Sequence, residues 1–432
     1  MVRVPIMSTR YYRMAPLAWL RMMAAALLVA GGSVVAAPKN NVQVGEVELD
    51  LVLDAPKCWD LTPEAFETHF NGQREGLFRW LTSDKTRAIF SRNLYSDATI
   101  GLVGFGKSIP VEEAVVDFAG GKLNLVTLSI HNRGDAKDIP VDEFKRRYME
   151  VGKAMGEKLG VKPYTRAAGT GLQTEGFGWE SPSGMAVLEC NVGATTGKDR
   201  EFLRLRVARR DAPGALAASM KARGTSAVRL SELPGNLTKD DKGNVFIGNM
   251  PMADQGNKGY CLPASIQRVF EYFGMGTDMH QIAEVAGSDP KAGTSAMAMS
   301  KELDKIDFHF KTRLVILGLG DTGNLTEVEV KKGEYYVGKP IDDKKFLKSI
   351  QGFINDGIPV LWALKVGVYP EEPAMKMQTS GYHMRLIIGY NEKDQRLIFT
   401  DSWGAGHEFK TIKYSDAIKA TNGLFVLKPT VR

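Results

Sequence analysis

The apolar residues of the carboxy-terminal half change their period once along the chain. From Cys261 to Phe273, Ile266, Val269, Phe270 and Phe273 share one helical face, with Pro263 in the first turn and Gly274 past the end. Three more helices are expected: one capped by Asp278 and running to Ala286, one opened by Thr294 or Ser295 and carrying Met299, Leu303 and Ile306, and one opened by Asp342 or Asp343 and carrying Phe346, Ile350, Phe353 and Ile354. Strands are then expected at Pro359–Leu364, His383–Tyr390, Arg396–Thr400, Phe409–Tyr414 and Leu424–Leu427. Helices first and an antiparallel sheet after them make an α+β order, expected here for residues 244–432.

At 432 residues the chain exceeds one ordinary domain. Residues 44–211 read as a mixed α+β module. It has a helix at Leu61–Phe70, strands at Leu77–Leu81 and Thr86–Ile89, and a hairpin turning at Gly120-Gly121. A long helix follows at Val141–Leu159, then strands at Met185–Val192 and Phe202–Val207. Residues 212–243 mix small residues, glycine, proline and scattered charge, and are read as a linker.

Residues 1–37 read as a signal peptide. Arg3, Arg10, Arg13 and Arg21 precede an uncharged run from Met22, and Val35-Ala36-Ala37 offers a cleavage site before Pro38. A retained amino-terminal membrane anchor is the alternative, but the run is shorter than a spanning helix wants, so cleavage near Ala37 and a secreted or periplasmic location are expected. Losing four arginines takes the formal charge from +6 to +2. A nearly neutral chain gives no basis for nucleic-acid binding. Of the three cysteines, Cys58 and Cys190 are either bridged or separately buried, and Cys261 is left free.

Chemistry concentrates in Asp254-Gln255-Gly256-Asn257-Lys258-Gly259-Tyr260-Cys261. A thiolate is the reactive form of cysteine, and the positive end of a helix favours it. An amide six residues earlier, on Gln255, can donate to an oxyanion. Such a nucleophile needs a base, and the base needs an orienting group. His383 opens an apolar strand, and Asp401 ends the next one, so a hairpin returns the carboxylate to the imidazole. His407 is a rival base, but it lies beyond Asp401 in chain order. His69 and His131 belong to the other module, while His280 and His309 suit packing or strand-face roles. Arg133-Gly134-Asp135 reads as a turn. No metal-ligand spacing and no phosphate loop is present, so neither a metal nor a cofactor is expected.

In order and approximate spacing, Gln255, Cys261, His383 and Asp401 resemble the papain-like cysteine peptidases. "DQGNKGYC" is similar to their glutamine-then-cysteine motif, and "DSWG" to the papain "NSWG" with aspartate for asparagine. The closer likeness is to the bacteriocin-processing (double-glycine leader) peptidase branch, whose third residue is also aspartate. The resemblance covers roughly Asn244 to Pro429. It implies a peptide or protein substrate, and Trp403 shielding the bond between His383 and Asp401. The processing peptidases sit on transporters and no transporter segment is read here, so a leader-peptide substrate is not carried over. Papain's disulfide-forming cysteine before the nucleophile is also missing, with Lys258 and Tyr260 in its vicinity.

The expected function is an exported cysteine peptidase working through Cys261, His383, Asp401 and Gln255. Two alternatives stand beside it. One is a transamidase with the same triad, and the other is a non-catalytic exported binding protein on a peptidase-like scaffold. The oligomeric state is not legible.

Overall fold

The computed structural model describes residues 42–430 except 74–76, 92–97, 135–137, 167–173, 212–228, 257, 286–287, 289–311, 332–333 and 376–379. The expected signal peptide, most of the expected linker and the helix expected after Thr294 or Ser295 lie outside the described residues. The described part is α+β, with extensive antiparallel sheet.

In the amino-terminal module an eight-stranded antiparallel sheet runs in the order Arg79–Trp80, Arg87–Ser91, Glu113–Ala119, Lys122–Asn132, Phe202–Ala208, Gly184–Asn191, Thr174–Ser181, Tyr164–Arg166. The hairpin turns at Gly120 and Gly121, whose φ values of 59° and 74° are what glycine tolerates without a Cβ penalty. The helix Val141–Leu159 packs on this sheet. Phe144, Tyr148, Val151, Met155 and Leu159 recur every three or four residues on its buried face, and Gly160 ends it in the left-handed region. Helix Pro63–Gln73 adds Phe66 and Phe70, whose rings meet those of Phe78 and Phe90 at 4.8 Å. Cys58 and Cys190 are separate free thiols, both buried in this core. Burial pushes the Cys58 thiol up to about 12, so it is chemically quiet.

The carboxy-terminal sheet orders its strands as Glu334–Pro340, Asn324–Lys331, Thr312–Asp321, Thr421–Pro429, Val360–Val366, Gly381–Asn391, Arg396–Thr400, Lys410–Lys413 and Glu371–Glu372. A short hairpin, Leu237–Lys239 with Asn244–Ile247, extends it beside Gly389–Asn391. Leu233, within the stretch read as linker, is fully buried in the core of this domain. Its carbonyl sits where any Cβ on Gly357 would have to go, and Gly357 has φ 72°.

The helices expected at Cys261, Asp278 and Asp342 form as Cys261–Tyr272, Met279–Val285 and Asp343–Asn355. Their caps follow the sequence. Asp278 Oδ1 accepts from the His280 and Gln281 backbone N–H groups, and Asp342 Oδ1 accepts from Lys345 N–H at 2.7 Å. The strand expected through Tyr414 stops at Lys413, because Tyr414–Ala420 turns into a helix that buries Tyr414, Ala417 and Ala420.

A polar seam joins the two modules. Arg87 reaches Glu271 on the Cys261 helix at 2.8 Å, and Arg206 donates to the Gly276 carbonyl at 3.0 Å. Arg204 and Arg206 both hold the buried Glu189 and keep its carboxyl well below the usual range despite burial; Arg204 also pairs with Asp278. Three contacts from the amino-terminal module bear on the Asp254–Cys261 loop itself. Arg79 pairs with Asp254 at 2.8 Å, Glu113 approaches Lys258 at 3.6 Å, and Gly134 packs on the Tyr260 ring.

Candidate active site

Cys261 is the first residue of its helix, preceded by Tyr260 with no side-chain cap, and is half-buried. The opening N–H groups of a helix have no intrahelical acceptor, so Cys261 sits among free donors and partial positive charge. Val269 and Phe270 anchor the helix in the core, while Ser265 Oγ donates to the Met384 carbonyl at 3.4 Å on the strand that carries His383. The buried Arg268 donates to the carbonyl of Pro251 at 2.6 Å, to that of Asp401 at 2.8 Å and to Thr400 Oγ1 at 2.6 Å. The helix is thereby tied to both the Gln255 loop and the end of the Asp401 strand.

Strands Gly381–Asn391 and Arg396–Thr400 pair antiparallel, with Leu386 opposite Thr400, which brings Asp401 back to His383. His383 Nε2 lies 2.6 Å from Asp401 Oδ1. The Cys261 thiol sits beside the same ring, close enough to bear on its charge. With Nε2 engaged by Asp401, Nδ1 is the ring nitrogen left to exchange a proton with a thiol. Burial opposes a charge on His383, but Asp401 on one side and Cys261 on the other prevail and raise the ring to about 9. Asp401 is wholly buried, which would favour its neutral form. His383 and Arg385 hold it well below the usual carboxylate range instead.

Gln255 is buried and fixed at three points. Its backbone N–H donates to the Ser402 carbonyl at 3.0 Å, its Nε2 donates to the Lys258 carbonyl at 3.0 Å, and its Oε1 accepts from Ser402 Oγ at 2.8 Å. Trp403 stacks on His383, with centroids 4.5 Å apart and planes at 20°. The rival His407 meets Trp403 edge-on at 5.5 Å, and burial lowers its pKa. All four residues singled out in the sequence are thus brought into one constellation, and His407 is left outside the bond between His383 and Asp401.

Sequence reading passed over Ser402, Arg268 and Arg385. Arg385 had a visible signal, being the one charged residue in the run from His383 to Tyr390. His131 and His280 are buried packing residues: His131 Nε2 lies 3.0 Å from the Arg200 carbonyl, and the His280 ring lies 6.0 Å from that of Tyr260. His309 and Asp135 fall outside the described residues. Among the described residues no three His, Cys, Asp or Glu side chains cluster as a metal ion would need, and no helix is long and apolar enough to cross a membrane.

Residues 247–422 match the model of the Peptidase_C39 like family, so the carboxy-terminal domain is of the papain-like cysteine peptidase class. Within that class it is a C39-like peptidase domain. No curated protein matches the chain. Two solved structures are similar to it. One, described as a C39-like peptidase from Bacillus anthracis, is 12% identical, with 44% of this chain and 99% of that one covered and a TM-score of 0.30. The other is Xylellain, a cysteine protease from Xylella fastidiosa, at 14% identity, 48% and 92% coverage and a TM-score of 0.28.

Proposed function

We propose that this protein is an exported cysteine peptidase that hydrolyses peptide bonds in a peptide or protein substrate. The observation that carries the reading is the relay from Cys261 through His383 to Asp401. His383 Nδ1 takes the thiol proton, and Sγ attacks the carbonyl carbon, whose π pair moves onto oxygen. That oxyanion lies between the Cys261 backbone N–H and the second N–H of the Gln255 amide, both fixed before the substrate arrives. The imidazolium then gives its proton to the leaving amine as the C–N bond breaks, leaving a thioester. Water, deprotonated by His383, attacks the thioester and releases a carboxylate and the thiol. Asp401 stays ionised throughout, holding the Nε2–H tautomer.

Export rests on the basic and then uncharged segment before Pro38, with removal near Ala37. Cys261→Ala is expected to abolish turnover of a casein substrate while leaving the thermal melt in place. Hydrolysis undiminished in that variant sinks the reading. A transamidase would differ only in the acceptor, and added primary amine appearing in the product would identify it.

A further inference from the structure

His383 and Arg385 are two residues apart on one strand, so both point to the same face, the face that meets Asp401. Arg385 is 1% exposed, and all three of its guanidinium nitrogens are engaged. Nε donates to Asp401 Oδ2 at 2.6 Å. Nη1 donates to Glu371 Oε2 at 2.6 Å, and Nη2 to Glu371 Oε1 at 3.4 Å. Lys410 Nζ then reaches Glu371 Oε1 at 2.7 Å. The guanidinium also lies over Phe399 at 4.6 Å and Trp403 at 5.4 Å, the ring that covers His383.

The two oxygens of Asp401 are therefore divided. Oδ1 serves His383 and the Ser402 N–H, while Oδ2 serves Arg385. Behind His383 the buried charges alternate in sign along Asp401, Arg385, Glu371 and Lys410, and they cancel. Arg268 faces Asp401 from the Cys261 helix, but only through the main-chain carbonyl, and His407 contributes through space. The requirement comes from the reaction. Each time the imidazolium gives up its proton, Asp401 faces a neutral ring. A fully buried carboxylate whose only charged partner vanishes takes a proton instead. Arginine carries a charge that no step of the cycle removes.

We infer that Arg385 is a positioning residue of the proposed triad, keeping Asp401 ionised and correctly turned when His383 is neutral, with Glu371 and Lys410 balancing its charge. The inference rests on the proposed cysteine-peptidase reading. If it holds, removing the guanidinium harms the site through Asp401, and a neutral side chain at position 401 relieves part of the harm.

The test is the pH dependence of Cys261 alkylation by iodoacetamide, mapped by mass spectrometry, in the full chain and in R385M, R385K, R385M/D401N and H383A. In R385M the acid arm is expected to move up by about one pH unit or more, as loss of an opposite charge beside a carboxylate implies. Casein turnover is expected to fall roughly ten- to hundredfold. R385K keeps the charge but not the fork, so its acid arm stays near the wild type while turnover falls. R385M/D401N is expected to be more reactive than R385M, or to fold where R385M does not, because an amide needs no counter-charge. An R385M arm coincident with the wild type, or a double variant no better than the single one, overturns the inference. Should H383A also coincide with the wild type, the triad reading itself fails. A shifted H383A beside an unshifted R385M removes only the role of Arg385.

Discussion

Ser402 Oγ donates to Gln255 Oε1 at 2.8 Å, while the Ser402 backbone N–H donates to Asp401 Oδ1 at 2.8 Å. One residue thus orients both the Gln255 amide and the Asp401 carboxylate that meets His383. Because an amide is planar, anchoring its oxygen fixes where both of its N–H groups point. Ser402→Ala leaves that oxygen short of one bond, a change of about 1 kcal/mol, and kcat is expected to fall by up to about tenfold with KM little altered. Ser402→Ala added to Gln255→Ala should cost much less than either substitution suggests, since they act through one group. Full additivity in that cycle would refute the coupling.

The pH dependence of stability follows from the directions of the His383 and Asp401 shifts. His383 is raised from an ordinary value near 6.5 to about 9 in the folded chain. Its contribution, on the order of 3 kcal/mol at most, is fully present below about pH 6.5 and lost as pH rises through 9. Asp401 is lowered, so its contribution is present above its ordinary value and disappears as pH falls. Urea denaturation of wild type and His383→Ala at pH 6 and pH 9.5 checks the first effect: the stability difference should shrink at the higher pH. An unchanged gap rules it out.

Much of this site is legible in the sequence for a simple reason. The Cys261 helix and the strands after Pro359 bury whole faces, so hydrophobic pattern alone places them, and Gln255, Cys261, His383 and Asp401 hang on those elements. What escapes has a different physical basis. Strands Thr312–Asp321, Asn324–Lys331 and Glu334–Pro340 leave little mark on the sequence pattern; along Thr312–Asp321 most residues are only half-buried, and Gly318 and Gly320 interrupt it, so its apolar contrast is weak. Arg385, Arg268 and Glu189 are buried charges whose partners are distant in sequence, and pairing across a sheet cannot be read from spacing. The packing of Leu233 depends likewise on Gly357, more than a hundred residues away.

Buried charge at the seam between the modules predicts where the whole chain is fragile. Glu189 neutralises Arg204 and Arg206 at 2.6 and 2.7 Å, and Arg166 lies 3.6 Å away. Glu189→Ala leaves buried guanidinium groups without their shared carboxylate, a loss of about 3–5 kcal/mol. Thermal denaturation should show a large fall in midpoint, with proteolysis quickened near Gly276 and Asp278. A midpoint unmoved by the substitution would mean that the pairs are not closed in solution.

Gly134 connects the amino-terminal module to the residue before Cys261 by shape. A Cβ there would lie 2.8 Å from the Tyr260 hydroxyl oxygen and 3.1 Å from two ring carbons. Tyr260 is 2% exposed and directly precedes Cys261, so its ring has little room to yield. The strain of Gly134→Ala should therefore pass into the backbone that sets the thiol and its N–H. A displacement approaching 1 Å at a reacting group is enough to cost about a hundredfold in rate. The expected result is a fall in kcat with the fold retained, seen as a normal circular dichroism spectrum beside slowed alkylation of Cys261. Tyr260→Phe in the same chain removes the hydroxyl at the tightest contact and should restore part of the rate. A Gly134→Ala protein with wild-type kinetics would show that the two modules touch there without mechanical consequence.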